Sequence, residues 1–175
     1  MTARQRQETE ANRFAICLLA PAPLVRPVLS SEPDLRNLQR LADRLEISLE
    51  ATLRRAIDLG TEPLAAVWTH NGRIRSQTRS VSFPWLLREL RQPLSSLTQA
   101  WRAVQNARPG YTELVESPTA AWTDVSNSVI FEQTRVGKDG HAVTLLSALL
   151  PDGREDDTGT LVELGLPSFR SRSRR

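Results

Sequence analysis

The sequence has few of the residues that cross-link small folds. Its 175 residues include one cysteine, Cys17, and two histidines, His70 and His141. One cysteine excludes an internal disulfide, and neither histidine has another histidine or a cysteine at metal-ligand spacing. A chain of this length can bury a core without such links. We therefore expect a globular protein in which Cys17 is a small buried residue of a helix and both histidines are solvated.

Long apolar runs and lysine are also scarce. The longest uncharged apolar segment, residues 14–25, contains two prolines and is shorter than the roughly 20 residues that a membrane-spanning helix needs. Lys138 stands beside 22 arginines, and the 23 basic and 20 acidic residues leave a net charge of +3, which does not by itself indicate nucleic-acid binding. Glu8 and Glu10 interrupt a segment that otherwise imitates a secretory signal. We therefore expect no membrane association and a cytoplasmic location.

The N-terminal segment has helical periodicity followed by a proline-rich stretch. From about residue 6 to residue 20, apolar residues recur at i, i+3, i+4, i+7 and i+8, which predicts an amphipathic helix. The stretch 21–27 contains three prolines, and we expect it to be an extended connector. Residues 1–27 are therefore interpreted as one unit.

Two further helices are predicted within residues 28–62. Ser30 or Ser31 is the candidate N-cap of the first helix, with residues 33–34 in its first turn. Ser48 is the candidate N-cap of the second helix, which we expect to end with Gly60 in the left-handed conformation. Two helices joined by a short turn have a helix-turn-helix shape.

Beyond residue 63 the apolar period changes from 3.6 to 2, which indicates strands. Asn71-Gly72 separates segments 64–69 and 73–78 and predicts a hairpin. Helical patterning returns at 85–90 and 97–104, and a second hairpin is predicted with strands over 128–136 and 141–148. We expect a mixed α+β region over 63–150 and a disordered tail over 151–175. The fold class is therefore α+β.

Residues 8–21, ETEANRFAICLLAP, resemble the ExxAN-x-FA-xx-LL-x-P helix of the ImmA/IrrE family of zinc metallo-endopeptidases. The helical region 33–60 and the hairpin 66–75 with Ser82-Phe83-Pro84 also resemble that family's layout. The resemblance covers residues 6 to about 90 and is weaker over 113–150. It implies that residues 1–27 are the last helix of a truncated zincin domain, that the 28–62 pair follows it, and that the α+β region completes the fold.

The resemblance also implies a zinc site of which this chain holds one part. In the family, two histidines of an HExxH helix and the Glu that opens ExxAN hold the zinc, and the HExxH Glu is the general base. Glu8 matches the third ligand, and Asn12 matches a position suited to a hydrogen bond beside it. HExxH would precede ExxAN, but the sequence contains no HExxH, and one carboxylate cannot hold a catalytic zinc. We therefore expect no catalytic residue, no zinc bound by this chain alone, and no peptidase activity.

The family's role implies a partner. Its members cleave helix-turn-helix repressors in stress response or in the control of mobile elements, so the resemblance implies a repressor of that kind. The alternative is a non-enzymatic transcriptional regulator that binds DNA or protein through residues 33–60. In that alternative the outward-facing residues of the second helix would bind DNA, namely Thr52, Arg54 and Arg55.

Two features oppose DNA binding by these helices. Glu46 occupies the turn position where helix-turn-helix motifs favour glycine, and a positive φ costs a residue with a side chain about 1 kcal/mol. Glu50 and Asp58 also dilute the basic charge. We favour a packing role for the helices over nucleic-acid binding.

Overall fold

The computed structural model describes residues 2–29, 33–125 and 128–149. Its α-helices are α1 (Ala3–Leu19), α2 (Ala22–Leu29), α3 (Leu35–Leu45), α4 (Leu49–Leu59) and α5 (Gln99–Gln105), and a single 3-10 turn spans Thr119–Ala121. Its strands are β1 (Leu64–His70), β2 (Arg73–Arg79), β3 (Gly110–Tyr111), β4 (Val115–Ser117), β5 (Val129–Val136) and β6 (His141–Leu149). The predicted α+β class is confirmed. No helix within these described ranges is long and apolar enough to cross a membrane.

The first helix is confirmed, but the extended connector is wrong, because residues 22–29 form α2. Pro23 lies in the first turn of α2, where its missing N–H would have no partner within the helix. Pro27 lies inside the helix and removes one backbone hydrogen bond. Val25 between them is fully buried in the core. Burial of the apolar face of α2 therefore outweighs its poor helix propensity.

The ends of α3 and α4 are fixed by caps that differ in part from those expected. Asp34, not Ser30 or Ser31, caps α3, and its carboxylate accepts a 2.6 Å hydrogen bond from the Arg36 N–H; the two serines lie outside the described residues. Ser48 caps α4 as expected, with its hydroxyl accepting from the Ala51 N–H at 3.1 Å. The left-handed conformation expected for Gly60 is wrong, because its φ of −72° is extended.

The turn between α3 and α4 gives the predicted helix-turn-helix shape. Glu46 takes the left-handed conformation, with φ 55° and ψ 37°, and its backbone N–H donates to the carbonyls of Ala42 and Asp43. The next residue, Ile47, donates its N–H to the Ala42 carbonyl at 3.0 Å. These hydrogen bonds satisfy two carbonyls in the last turn of α3, those of Ala42 and Asp43, and offset the cost of a positive φ at Glu46.

The strands form one antiparallel sheet in the order β2-β1-β6-β5-β3, and β4 also pairs with β5. Both predicted hairpins are confirmed as β1–β2 and β5–β6. Asn71 and Gly72 have φ values of 50° and 71°, as a two-residue hairpin turn requires. In the second turn, Asp139 and Gly140 also have positive φ.

The region between the hairpins was only partly predicted. The helix expected over 97–104 is confirmed as α5, which Thr98 caps. The helix expected over 85–90 is wrong, because this segment is irregular. Leu86 and Leu90 are exposed, whereas Trp85 and Leu87 pack against the core. Backbone pairing of Leu87 with Thr123, and a hydrogen bond from the Arg88 N–H to the Trp122 carbonyl, hold the segment extended.

The sheet has an apolar core on each face. On one face, α2, α3 and α4 pack against residues of β1 and β6, including Leu64 and Leu145. On the other face, α5 and the irregular segments cover Val67 and Leu146 with the buried rings of Phe83 and Trp122. Helix α4 therefore lies directly on the sheet, next to β1 and β2.

Helix α1 lies at the edge of this structure. It reaches the helical core through Ile16, and Ala20 after its end is fully buried. Phe14, Leu18 and Leu19 have exposed fractions of 68%, 66% and 55%. Cys17 is also exposed, so the buried position expected for it is wrong. The apolar stripe predicted for α1 therefore faces solvent, and the helix contacts the core through Ile16, which is not part of that stripe. The tail expected to be disordered lies outside the described residues.

Candidate functional site

The residues that the family resemblance singles out lie on an exposed face of α1. Glu8 and Asn12 are one turn apart, and Ala15 and Leu19 continue the same face. All four side chains are exposed. Ile16, which contacts the core, follows Asn12 by one turn and lies at the border of this face. Glu8 and Asn12 are therefore presented to solvent, not to the interior.

A catalytic zinc needs three protein ligands and an open position. Within residues 2–29, 33–125 and 128–149, no group of three or more histidine, cysteine, aspartate or glutamate side chains is placed to hold a metal ion. Glu8 is the only residue of the family's ligand set that the sequence contains. The described residues do not fit a catalytic zinc.

The three residues named for DNA binding have different environments in α4. Thr52 is fully buried and donates its hydroxyl to the Ser48 carbonyl at 3.1 Å, so the outward orientation expected for it is wrong. Arg55 is half-buried and donates its Nε to the Ala20 carbonyl at 3.0 Å. Arg54 forms an ion pair with Glu50 at 2.9 Å. Two of these side chains are therefore engaged in packing and internal hydrogen bonds, and only Arg54 borders open space.

Arg54 borders a cleft between the start of α4 and the sheet. This cleft, called the basic cleft below, has a volume of about 540 Å³ and is lined by Arg54, Arg75, Arg135, His141 and Trp68 among others. The guanidinium of Arg54 lies 4.4 Å from the centre of the Trp68 ring, a cation–π distance. The side chain of Arg54 is therefore held from two directions, by Glu50 and by Trp68.

The strand register places the floor of the basic cleft in one row. Ser76 pairs with Trp68, Trp68 with Val143, and Val143 with Arg135 across β2, β1, β6 and β5. Adjacent strands lie about 4.8 Å apart, so the row spans about 14 Å, with Arg135 at one end and Ser76, which follows Arg75, at the other. Arg135 also lies over the Tyr111 ring at 5.9 Å.

The two histidines meet at the rim of this cleft. His70 and His141 are directly opposite each other in β1 and β6, and their ring centres are 4.4 Å apart. Both are exposed, as expected. Their contact was not predicted, because nothing in the local sequence shows that β1 and β6 are neighbours.

A buried carboxylate lies on the opposite face of the sheet. Glu132 is 1% exposed and accepts hydrogen bonds from the Gln99 backbone N–H and from Trp122 Nε1, the second at 3.1 Å. Burial raises the pKa of Glu132, and these hydrogen bonds oppose the rise. Glu132 ties the start of α5 to β5 and to Trp122. We therefore interpret it as a structural residue.

The chain matches no model of a known protein family and no curated protein. The resemblance to the ImmA/IrrE family therefore rests on the residues quoted above.

Proposed function

We propose that this chain is an ImmA/IrrE-like protein that binds a helix-turn-helix repressor without cleaving it, and that α1 is its contact element. The observation that carries the proposal is the exposed face of α1. Phe14, Leu18 and Leu19 of α1 are each at least 55% exposed, and Leu24 of α2 is 43% exposed. Exposed apolar groups clustered on one element mark an interaction site more often than scattered ones do.

The family resemblance supports the choice of partner. In the family, the Glu that opens ExxAN lies at the zinc site, so a repressor that approaches that site meets this face of the helix. In this chain Glu8 and Asn12 lie on the side of α1 that also carries Leu19 and remain exposed, while HExxH is absent. Recognition without hydrolysis is the part of the family's role that these residues can support. We place this activity in the cytoplasm, where repressors bind their operators.

The alternative regulator, which binds DNA through residues 33–60, has less support. The helix-turn-helix shape favours it, because α3, the left-handed turn at Glu46 and α4 are all present. A recognition helix must enter the major groove with free side chains. Helix α4 instead packs against α2, α3 and the sheet, with Thr52 buried and Arg55 bound to the Ala20 carbonyl.

Binding of purified helix-turn-helix repressors from the same genome, each tested singly by calorimetry with the full chain, tests the proposal. We expect at least one repressor to bind and to remain intact by mass spectrometry in the presence of added zinc. Phe14→Asp and Leu18→Asp should abolish that binding. Val81→Asp is the matched control, because Val81 is fully exposed elsewhere on the surface.

Three outcomes would contradict the proposal. They are the absence of binding by every repressor, binding that the α1 variants leave unchanged, and zinc-dependent cleavage of a bound repressor. Circular dichroism of each variant establishes that α1 is still helical. Metal analysis after dialysis should find less than one zinc per chain, and a stoichiometric zinc would show that the chain assembles a site other than the family's.

A further inference from the structure

The basic cleft carries more positive charge than its surroundings neutralise. Arg75 and Arg135 line it, and neither has a carboxylate within ion-pair distance among the described residues. Glu50 is the acidic residue of the lining, and it is engaged by Arg54. The charges of Arg54 and Glu50 balance each other, so the charges of Arg75 and Arg135 remain without a partner in the cleft.

The cleft also offers hydrogen-bond donors beyond the guanidinium groups. His141 and Ser76 line it with exposed or half-buried side chains.

From these observations we propose that the basic cleft binds a small molecule that carries a phosphate group. Arginine presents a planar set of N–H donors that matches two phosphate oxygens at once. Arg75 approaches from the edge strand β2 and Arg135 from β5, so the anion would lie above the row that contains Trp68 and Val143. A volume of about 540 Å³ falls within the range of small-molecule sites. This site is separate from α1 and does not depend on the function proposed for that helix.

Arg54 has a different role in the site. Its guanidinium is held by Glu50 and stacked on Trp68, so it is oriented before a ligand arrives. A side chain that is already ordered loses less conformational freedom on binding. Arg54 therefore forms the fixed wall of the cleft, and Arg75 and Arg135 supply the unpaired charges.

Calorimetric titration of the full chain at low salt tests this inference, with inorganic phosphate, pyrophosphate, AMP and ATP as separate probes. We expect at least one probe to bind, and the order of affinities distinguishes a free phosphate from a phosphate ester. Arg75→Gln and Arg135→Gln should each weaken that binding about tenfold, as expected for lost hydrogen bonds between charged groups. Arg135→Lys keeps the charge but not the planar donor set, and should recover only part of the affinity.

Arg108→Gln is the matched control, because Arg108 is exposed, lies outside the cleft and changes the net charge equally. It should leave the affinity unchanged. The inference is overturned if no probe binds at millimolar concentration, or if Arg108→Gln weakens binding as much as Arg75→Gln does. Thermal unfolding of each variant shows whether a lost affinity reflects a lost fold.

Discussion

Replacement of Glu132 by glutamine should change how the stability of this protein depends on pH. Burial raises the pKa of Glu132 in the folded state above its ordinary value of 4.5. Between pH 4.5 and that raised pKa, the folded protein binds a proton that the unfolded chain has released. Stability from this group is therefore present at acid pH and is lost as the pH rises, at no more than about 1.4 kcal/mol per pH unit. A glutamine side chain does not titrate, so the variant does not lose stability in this way as the pH rises.

The hydrogen bonds of Glu132 determine how much less stable the glutamine variant is at acid pH. Glutamine keeps one oxygen to accept from the Gln99 N–H, but its amide nitrogen cannot accept from Trp122 Nε1. Trp122 Nε1 retains the Ser117 hydroxyl as an acceptor at 3.0 Å. Near pH 4.5 we therefore expect the variant to be less stable by about 1 kcal/mol, the value of one hydrogen bond. This deficit should shrink as the pH rises towards 7.5.

Urea unfolding at half-unit pH steps, analysed by linear extrapolation, measures the difference. Glu116→Gln is the control, because Glu116 is exposed on β4 and pairs with the strand that carries Glu132. Its stability difference from the natural protein should not vary in the same way. A deficit of Glu132→Gln that stays constant or grows from pH 4.5 to 7.5 would refute the reasoning.

Three further outcomes are expected. Hydrogen exchange should be faster over residues 6–20 than over the 64–78 hairpin, because α1 contacts the core only near its end; equal, strong protection in a monomer would contradict this. Gly140→Ala should lower the free energy of unfolding by more than 1 kcal/mol, roughly the cost of a left-handed alanine, because its Cβ would lie 1.9 Å from Asn71 Oδ1; an unchanged unfolding midpoint would show that Asn71 moves away freely. Duplex DNA should bind weakly and without sequence preference, and Arg54→Ala should not reduce that binding in a filter or gel assay; a sharp loss would favour the DNA-binding alternative.

Local chemistry made part of the fold predictable. A two-residue hairpin turn requires two positive φ values, which few residue pairs other than Asn-Gly accept. Asn71-Gly72 was therefore enough to predict the first hairpin. Ser48 was predictable as an N-cap because it lies directly before an apolar helical pattern. The extended connector predicted over 21–27 is wrong because three prolines favour an extended chain locally, whereas burial of Val25 in the core stabilises α2.

The candidate sites were less predictable because they depend on which elements become neighbours. Thr52 was expected to face outward, but its hydroxyl is satisfied by the Ser48 carbonyl one turn earlier, which permits burial. Arg54, Arg75 and Arg135 lie on three elements. They line one cleft only because β6 lies between β1 and β5 in the sheet. Neither the apolar periodicity of the sequence nor its turn residues indicate that strand order.

Because β2 lies at the edge of the sheet, its arginines also affect the association of one copy of the protein with another. The segment 91–94 pairs with the backbone of Ile74 and its neighbours and covers the first part of this edge. From Arg75 to Arg79 the outer edge of the strand has no neighbouring strand among the residues that the structure describes. Charged side chains on an open edge discourage two copies of a protein from joining strand to strand. Loss of Arg75 would therefore remove a barrier to aggregation as well as a charge from the cleft, so solubility restricts which residues this position accepts.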